Sequence, residues 1–124
     1  MDHAARAAAL FLEGYSCSQA VAAAFSDVTG LDEKTSARLA SSFGGGMGRM
    51  REVCGAVSGM LLVLGMLYGY DDPADTAGKR ELYSRVQAMA EEFRAENGSI
   101  ICRDLLRNKF HPPRKRTENN SALP

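Results

Sequence analysis

Apolar residues recur along this chain at spacings of three and four, and from residue 3 to about residue 106 no stretch alternates as a half-buried strand would. The clearest stripe lies in 78–97, where Leu82, Val86, Met89 and Phe93 share one helical face and charges lie opposite. Asn97-Gly98 reads as its stop. An Ala-rich helix is expected over 4–13, ending at Gly14. A second begins at Ser16-Cys17-Ser18-Gln19, an S-x-x-Q capping box that puts Cys17 at the first helical position. It runs through Ala20, Val21, Ala24 and Phe25 to Gly30.

Asp32 can cap a third, short helix whose Leu39 and Phe43 lie a turn apart and are expected to face the core. A fourth, strongly apolar helix is expected over 51–69, and Asp71-Asp72-Pro73 marks the turn after it. Ser99 can cap a last helix over 100–106, with Cys102 in its first turn. The fold class that follows is all-α: a single compact bundle of about five to six helices around a buried apolar helix (51–69). The helical domain spans 1–107, and the polar, proline-bearing 108–124 is expected to be a disordered tail.

Charge narrows the function. Fifteen basic and fifteen acidic residues cancel, so nothing marks a phosphate-backbone partner, and nucleic acid is not expected. Residues 53–70 run eighteen positions without a charge, the lower limit of a membrane span. Gly55, Ser58, Gly59, Gly65 and Gly69 dilute that segment and no second span accompanies it, so a buried helix explains it better and no membrane role is expected. The start, MDHAARAAALFLEGY, lacks a secretory pattern, which makes the expected location cytoplasmic.

In a reducing compartment three cysteines are not a disulfide framework, and catalytic, redox or metal roles become the live options. Cys17, Cys54 and Cys102 all fall near expected helix starts, where free amides and the helix dipole favour a thiolate. The thiolate is both the nucleophile and the metal ligand. Before Cys54 runs a glycine-dense loop, and Ser58 lies four residues after it on the same helical face. Gly44, Gly45, Gly46 and Gly48 imply positive φ angles or close backbone approach. Their amides, with Arg49, could form an anion-binding concavity or a nest around a cluster, or the loop could simply turn the chain. The loop fits neither GxxxxGK[ST] nor GxGxxG, so nucleotide binding has no support. Gly55 and Gly59 are spaced to let another helix come close, and methionines 47, 50, 60 and 66 fit either a soft-metal site or gap filling. His3 is expected at the surface, and no Ser-His-Asp or HExxH arrangement appears.

GYSCSQAV around Cys17, FGGGMGR followed by CGAVSG at 54–59, and ENGSIICRDLL at 96–106 together resemble the redox-active family C_GCAxxG_C_C. The resemblance covers roughly residues 10–107 and implies a small helical domain with redox or metal chemistry. The family name lists four cysteine positions; Cys17, Cys54 and Cys102 would match the first three, and no cysteine follows. A cluster would then need three thiolates with another ligand, His111 being the only downstream imidazole, or thiolates from two chains.

The leading expectation is therefore that Cys17, Cys54 and Cys102 converge, either for thiol–disulfide redox chemistry or to hold a metal or iron–sulfur centre with all three as ligands. In the thiol version Cys54 is the nucleophile, Cys17 or Cys102 resolves, and a redox partner is needed. Gly44, Gly45, Gly46, Gly48, Arg49 and Ser58 would shape the site. The rival expectation is a helical interaction module with structural cysteines, whose apolar helix contributes to a homodimer.

Overall fold

The structure, a computed structural model, describes residues 2–107. The tail expected over 108–124, with His111, lies outside the described residues. The elements are α1 (His3–Leu12), α2 (Cys17–Ala24), α3 (Ser26–Thr29), α4 (Glu33–Ala40), a 3₁₀ turn (Ser41–Phe43), α5 (Gly44–Met47), α6 (Gly55–Tyr68), α7 (Thr76–Asn97) and α8 (Cys102–Arg107). This is the expected all-α fold, divided more finely. The segment expected as one helix over 16–30 breaks at Phe25, where the Ser26 hydroxyl donates to the Ala23 carbonyl at 2.7 Å and competes with the helical ladder.

The cap signals act as the residues suggest. The Gln19 N–H donates to Ser16 Oγ while the Ser16 N–H donates to Gln19 Oε1, completing the capping box. Asp32 accepts from the Thr35 N–H at 2.6 Å, and Asp75 from Gly78 at 2.8 Å, so α7 starts slightly earlier than expected. Gly98, with φ 90°, stops α7 in the left-handed region.

Helix α2 is the hub, packed against α1, α4 and α6. Its neighbours come close because the meeting residues are small. Ala20, Ala22, Ala23, Ala24, Ala37 and Ala40 are all buried. On α6, a Cβ added at Gly59 would stand 2.9 Å from the Ser18 carbonyl, and one at Gly55 would stand 3.0 Å from the Ser18 amide. The expected close approach at these two glycines is thus the α2–α6 contact. Ser18 is fully enclosed and its hydroxyl donates to the Ala40 carbonyl at 2.8 Å; Gln19 Nε2 reaches the Ala37 carbonyl at 3.2 Å. These bonds pin α4 to α2.

Three expectations need correction. Leu39 does not face the core: it is exposed, and Ser36, Ala37 and Ala40 take the inward positions because only small residues fit so near α2. His3 is half-buried, stacked on Phe25 with ring centroids 4.3 Å apart and 2.9 Å from Asp27. The apolar helix begins at Gly55 rather than residue 51, and its buried positions end at Val63; Met66, Leu67 and Tyr68 are exposed. Of the four methionines, Met60 is half-buried and Met47, Met50 and Met66 are exposed. The α7 stripe of Leu82, Val86, Met89 and Phe93 is half-buried, and α7 packs on α6. Among the described residues no helix is long and apolar enough to cross a membrane.

Candidate functional site

Residues 51–54 are not helical because they pair with the chain that precedes α8. Val53 and Ile101 form an antiparallel bridge, the Cys54 N–H donates to the Ile100 carbonyl at 2.7 Å, and the Cys102 N–H donates to the Glu52 carbonyl at 2.6 Å. In that register Cys54 stands opposite Ile100 and Cys102 opposite Glu52. Cys54 and Cys102 are therefore diagonal in the register, a relation that in a regular ladder sets positions about 7–8 Å apart.

Each cysteine sits at a helix start. Cys17 is the first residue of α2 and is exposed; Cys102 is the first of α8 and half-buried. Half-buried Cys54 is the N-cap of α6 rather than a residue inside it, with φ −55° and ψ 136°. Its carbonyl accepts from the Ser58 N–H at 3.0 Å, the first turn of α6, and Ser58 is buried. Cys17 meets the same corner through Gly55, where an added Cβ would lie 3.2 Å from the Cys17 Cβ. The bridge thereby joins the backbone of the Cys54 segment to that of the Cys102 segment, and Cys17 lies against the residue that follows Cys54.

The glycine loop forms the floor. Gly45, Gly46, Met47, Gly48, Arg49 and Arg51 all have φ between 62° and 77°, a left-handed run in which three residues are not glycine. The left-handed region disfavours an L side chain by roughly 1–2 kcal/mol, so Met47, Arg49 and Arg51 store strain beside the cysteines. At Gly46 the need for glycine is double. Besides φ 77°, an added Cβ would lie 2.6 Å from the Cys102 Cβ and 2.8 Å from the Arg51 Cα. The N–H groups of Gly48 and Arg49 donate to the Gly44 carbonyl, that of Arg51 to Gly45 and that of Glu52 to Gly46. Those amides are spent inside the chain, an arrangement that fits a tight turn holding Cys102 better than an open anion cradle. Gly44 presses on Ser16, an added Cβ falling 2.9 Å from the Ser16 Cβ, and so joins the loop to the start of α2.

The cation at the site is not the one expected. Arg49 folds back over Gly45, its Cγ 2.7 Å from where a Cβ would be, while Arg51 Nη1 lies 3.8 Å from Cys102 Sγ. Across the same pairing Arg103 Nη2 contacts Glu52 Oε1 at 3.4 Å.

Among the described residues no group of three or more His, Cys, Asp or Glu side chains could hold a metal ion. Among the described residues the donors thus do not assemble the iron–sulfur or thiolate-metal centre that the sequence suggests.

A small all-α domain with three cysteines at helix starts is the class that fold and site define. Residues 15–122 match the family described as "Putative redox-active protein (C_GCAxxG_C_C)", and the chain belongs to that family. No curated protein and no solved structure matches the chain.

Proposed function

We propose that this protein carries out thiol–disulfide redox chemistry with Cys54 as the attacking thiol. The observation that supports the reading is the Val53–Ile101 bridge, which joins the backbones flanking Cys54 and Cys102, with Arg51 Nη1 3.8 Å from Cys102 Sγ. Membership of a redox-active family supports it, as does strain concentrated beside the two residues. The guanidinium stands beside Cys102, the residue that attacks second.

The Cys54 thiolate attacks one sulfur of a partner disulfide, forming a mixed disulfide and releasing the partner's other sulfur as a thiolate that takes up a proton. A second cysteine of this chain, deprotonated, then attacks the Cys54 sulfur and expels the remaining partner thiolate, which is protonated in turn. The partner disulfide becomes two thiols, and two thiols here become one disulfide; two electrons and two protons have moved. Cys102 is the resolving residue favoured by the bridge, and Cys17 the alternative beside Gly55. A diagonal pair starts farther apart than the ~3.8 Å Cβ separation of a disulfide, so oxidation shifts α8 along residues 51–54.

The test is a redox titration between about −300 and −180 mV, read by intact mass and peptide mapping. The wild type should lose two thiols to one internal disulfide that includes Cys54, and Cys102→Ser should accumulate a mixed disulfide at Cys54. Three thiols persisting across that range would sink the proposal. Stoichiometric iron or zinc after anaerobic purification, absent from Cys54→Ser, would replace it with a metal centre.

A further inference from the structure

We propose that the chain has a second site, remote from the cysteines: a pocket for a small apolar molecule bearing one hydrogen-bonding group. A cavity of about 280 Å³ lies between α4, residues 29–31 and residues 61–66 of α6. Leu31, Leu39, Leu61, Leu62 and Met66 wall it, and Ser36 is its polar member. Leu39 and Met66 stand 54% and 51% exposed, so the apolar wall reaches the surface and leaves an entrance.

Ser36 makes this more than an unfilled gap. It is 3% exposed, and among the described residues its Oγ is the buried side-chain oxygen or nitrogen without a hydrogen-bond partner. Folded proteins satisfy nearly all such groups, and one that is left open calls for an occupant. The other hydroxyl in the wall, Thr29 Oγ1, already accepts from the Leu31 N–H at 3.2 Å. A buried water needs two to four polar partners, and Ser36 with a lining of leucines does not supply them. An organic molecule with an apolar body and a single donor or acceptor satisfies the hydroxyl and fills the cavity together. The volume lies just below the usual range for ligand pockets of about 300–1,000 Å³, which limits the occupant to a small molecule such as a monosubstituted ring or a medium-length chain.

Gly65 lines the same cavity and supplies a clean control, since an added Cβ there would meet nothing within 4 Å. The probes are 4-ethylphenol and ethylbenzene, of like shape with and without the hydroxyl, titrated into the full chain and followed by the NMR shifts of the Leu62 and Met66 methyls. The wild type should bind the phenol about tenfold more tightly than the hydrocarbon, the difference one neutral hydrogen bond makes. Ser36→Ala should fold with undiminished stability, because it removes an unpaired buried hydroxyl, and should bring the two affinities within about twofold of each other. Gly65→Leu should fold and bind neither. Equal affinities in the wild type, no binding by about 1 mM, or a marked loss of stability in Ser36→Ala would overturn the proposal. So would methyl shifts that follow protein concentration alone, which would mark the face as a contact between two copies of this chain. None of these readouts depends on the cysteines.

Discussion

At the scale of single residues, Gly46 has the least freedom to change. It needs φ 77° and sits against the Cys102 Cβ, the Arg51 Cα and the Glu52 amide, two of them backbone atoms that cannot swing aside. Gly46→Ala should therefore lose about 3 kcal/mol or more, summing left-handed strain with overpacking. Chemical denaturation measures this, and Gly14→Ala is the control: φ is 111° there as well, but nothing lies within 4 Å, so only the strain is felt. Equal losses at the two positions would show that Gly46 is not clamped against Cys102. That four glycines in five positions meant positive φ and close approach was legible in the residues themselves. The partner was not legible, because Cys102 lies more than fifty positions away and its approach depends on a bridge of one residue pair. The same hidden pairing made Cys54 an N-cap and brought Arg51, not Arg49, to a cysteine.

At the scale of elements, legibility followed the caps. Ser16 with Gln19, Asp32 and Gly98 each announce a boundary chemically, and those boundaries came out within a residue or two. The start of α6 carries no side-chain cap, so its apolar pattern was extended too far toward residue 51. Leu39 departs from its expected place for a related reason: its apolar side chain suggests an inward position, whereas closeness to α2 reserves the inward positions there for Ala37 and Ala40. The α2–α6 contact makes two glycines on one helix respond oppositely. Gly59→Ala meets the Ser18 carbonyl at 2.9 Å and should lose about 1–3 kcal/mol, while Gly65→Ala meets open space and should gain about 0.4–1 kcal/mol. Thermal denaturation of both variants would tell; a loss at both would mean that α6 is strained rather than locally crowded. The α4 cap adds a pH dependence. Hydrogen bonds from Thr35, backbone first, hold the Asp32 carboxyl below its ordinary value near 3.8. A group with a depressed folded pKa stabilises the fold above its unfolded pKa and loses that contribution as pH falls through the folded one. An asparagine in its place would keep an acceptor and not titrate, so the advantage of wild type over Asp32→Asn in urea midpoint should shrink between about pH 7 and pH 3. An unchanged difference would show that the cap does not depend on charge.

At the scale of the whole molecule, packing is uneven, and the order in which parts open should reveal it. The enclosed core gathers on α2: Leu10, Ala20, Ala23 and Ala24 form one cluster, with Ala7 and Phe25 against it. Helix α7, the longest at 22 residues, has no buried residue and packs principally on α6. Where the C-terminal end of α6 meets the middle of α7, the Arg85 guanidinium covers the Tyr68 ring at 3.8 Å, but Tyr68 is 41% exposed, so this cation–π contact is only modest. Between α7 and the α1–α2 pair lies a further cavity of about 250 Å³, bordered by Phe25, Met60, Met89 and Phe93, so α7 does not seal against the hub. A helix held by one half-buried stripe opens at a lower free energy than one enclosed on three sides. Native-state hydrogen exchange should therefore find the amides of α7 exchanging through a partial opening, with those of α2 and the first half of α6 following at the global free energy. The bonds from Cys54 to Ile100 and from Cys102 to Glu52 attach α8 to residues 52–54 and not to α7, so the cysteine corner should stay protected while α7 opens. If α7 and α2 exchanged at one common free energy, the bundle would be a single cooperative unit despite its uneven packing. If the Cys54 and Cys102 amides exchanged together with α7, the cysteine corner would instead depend on the longest helix being in place.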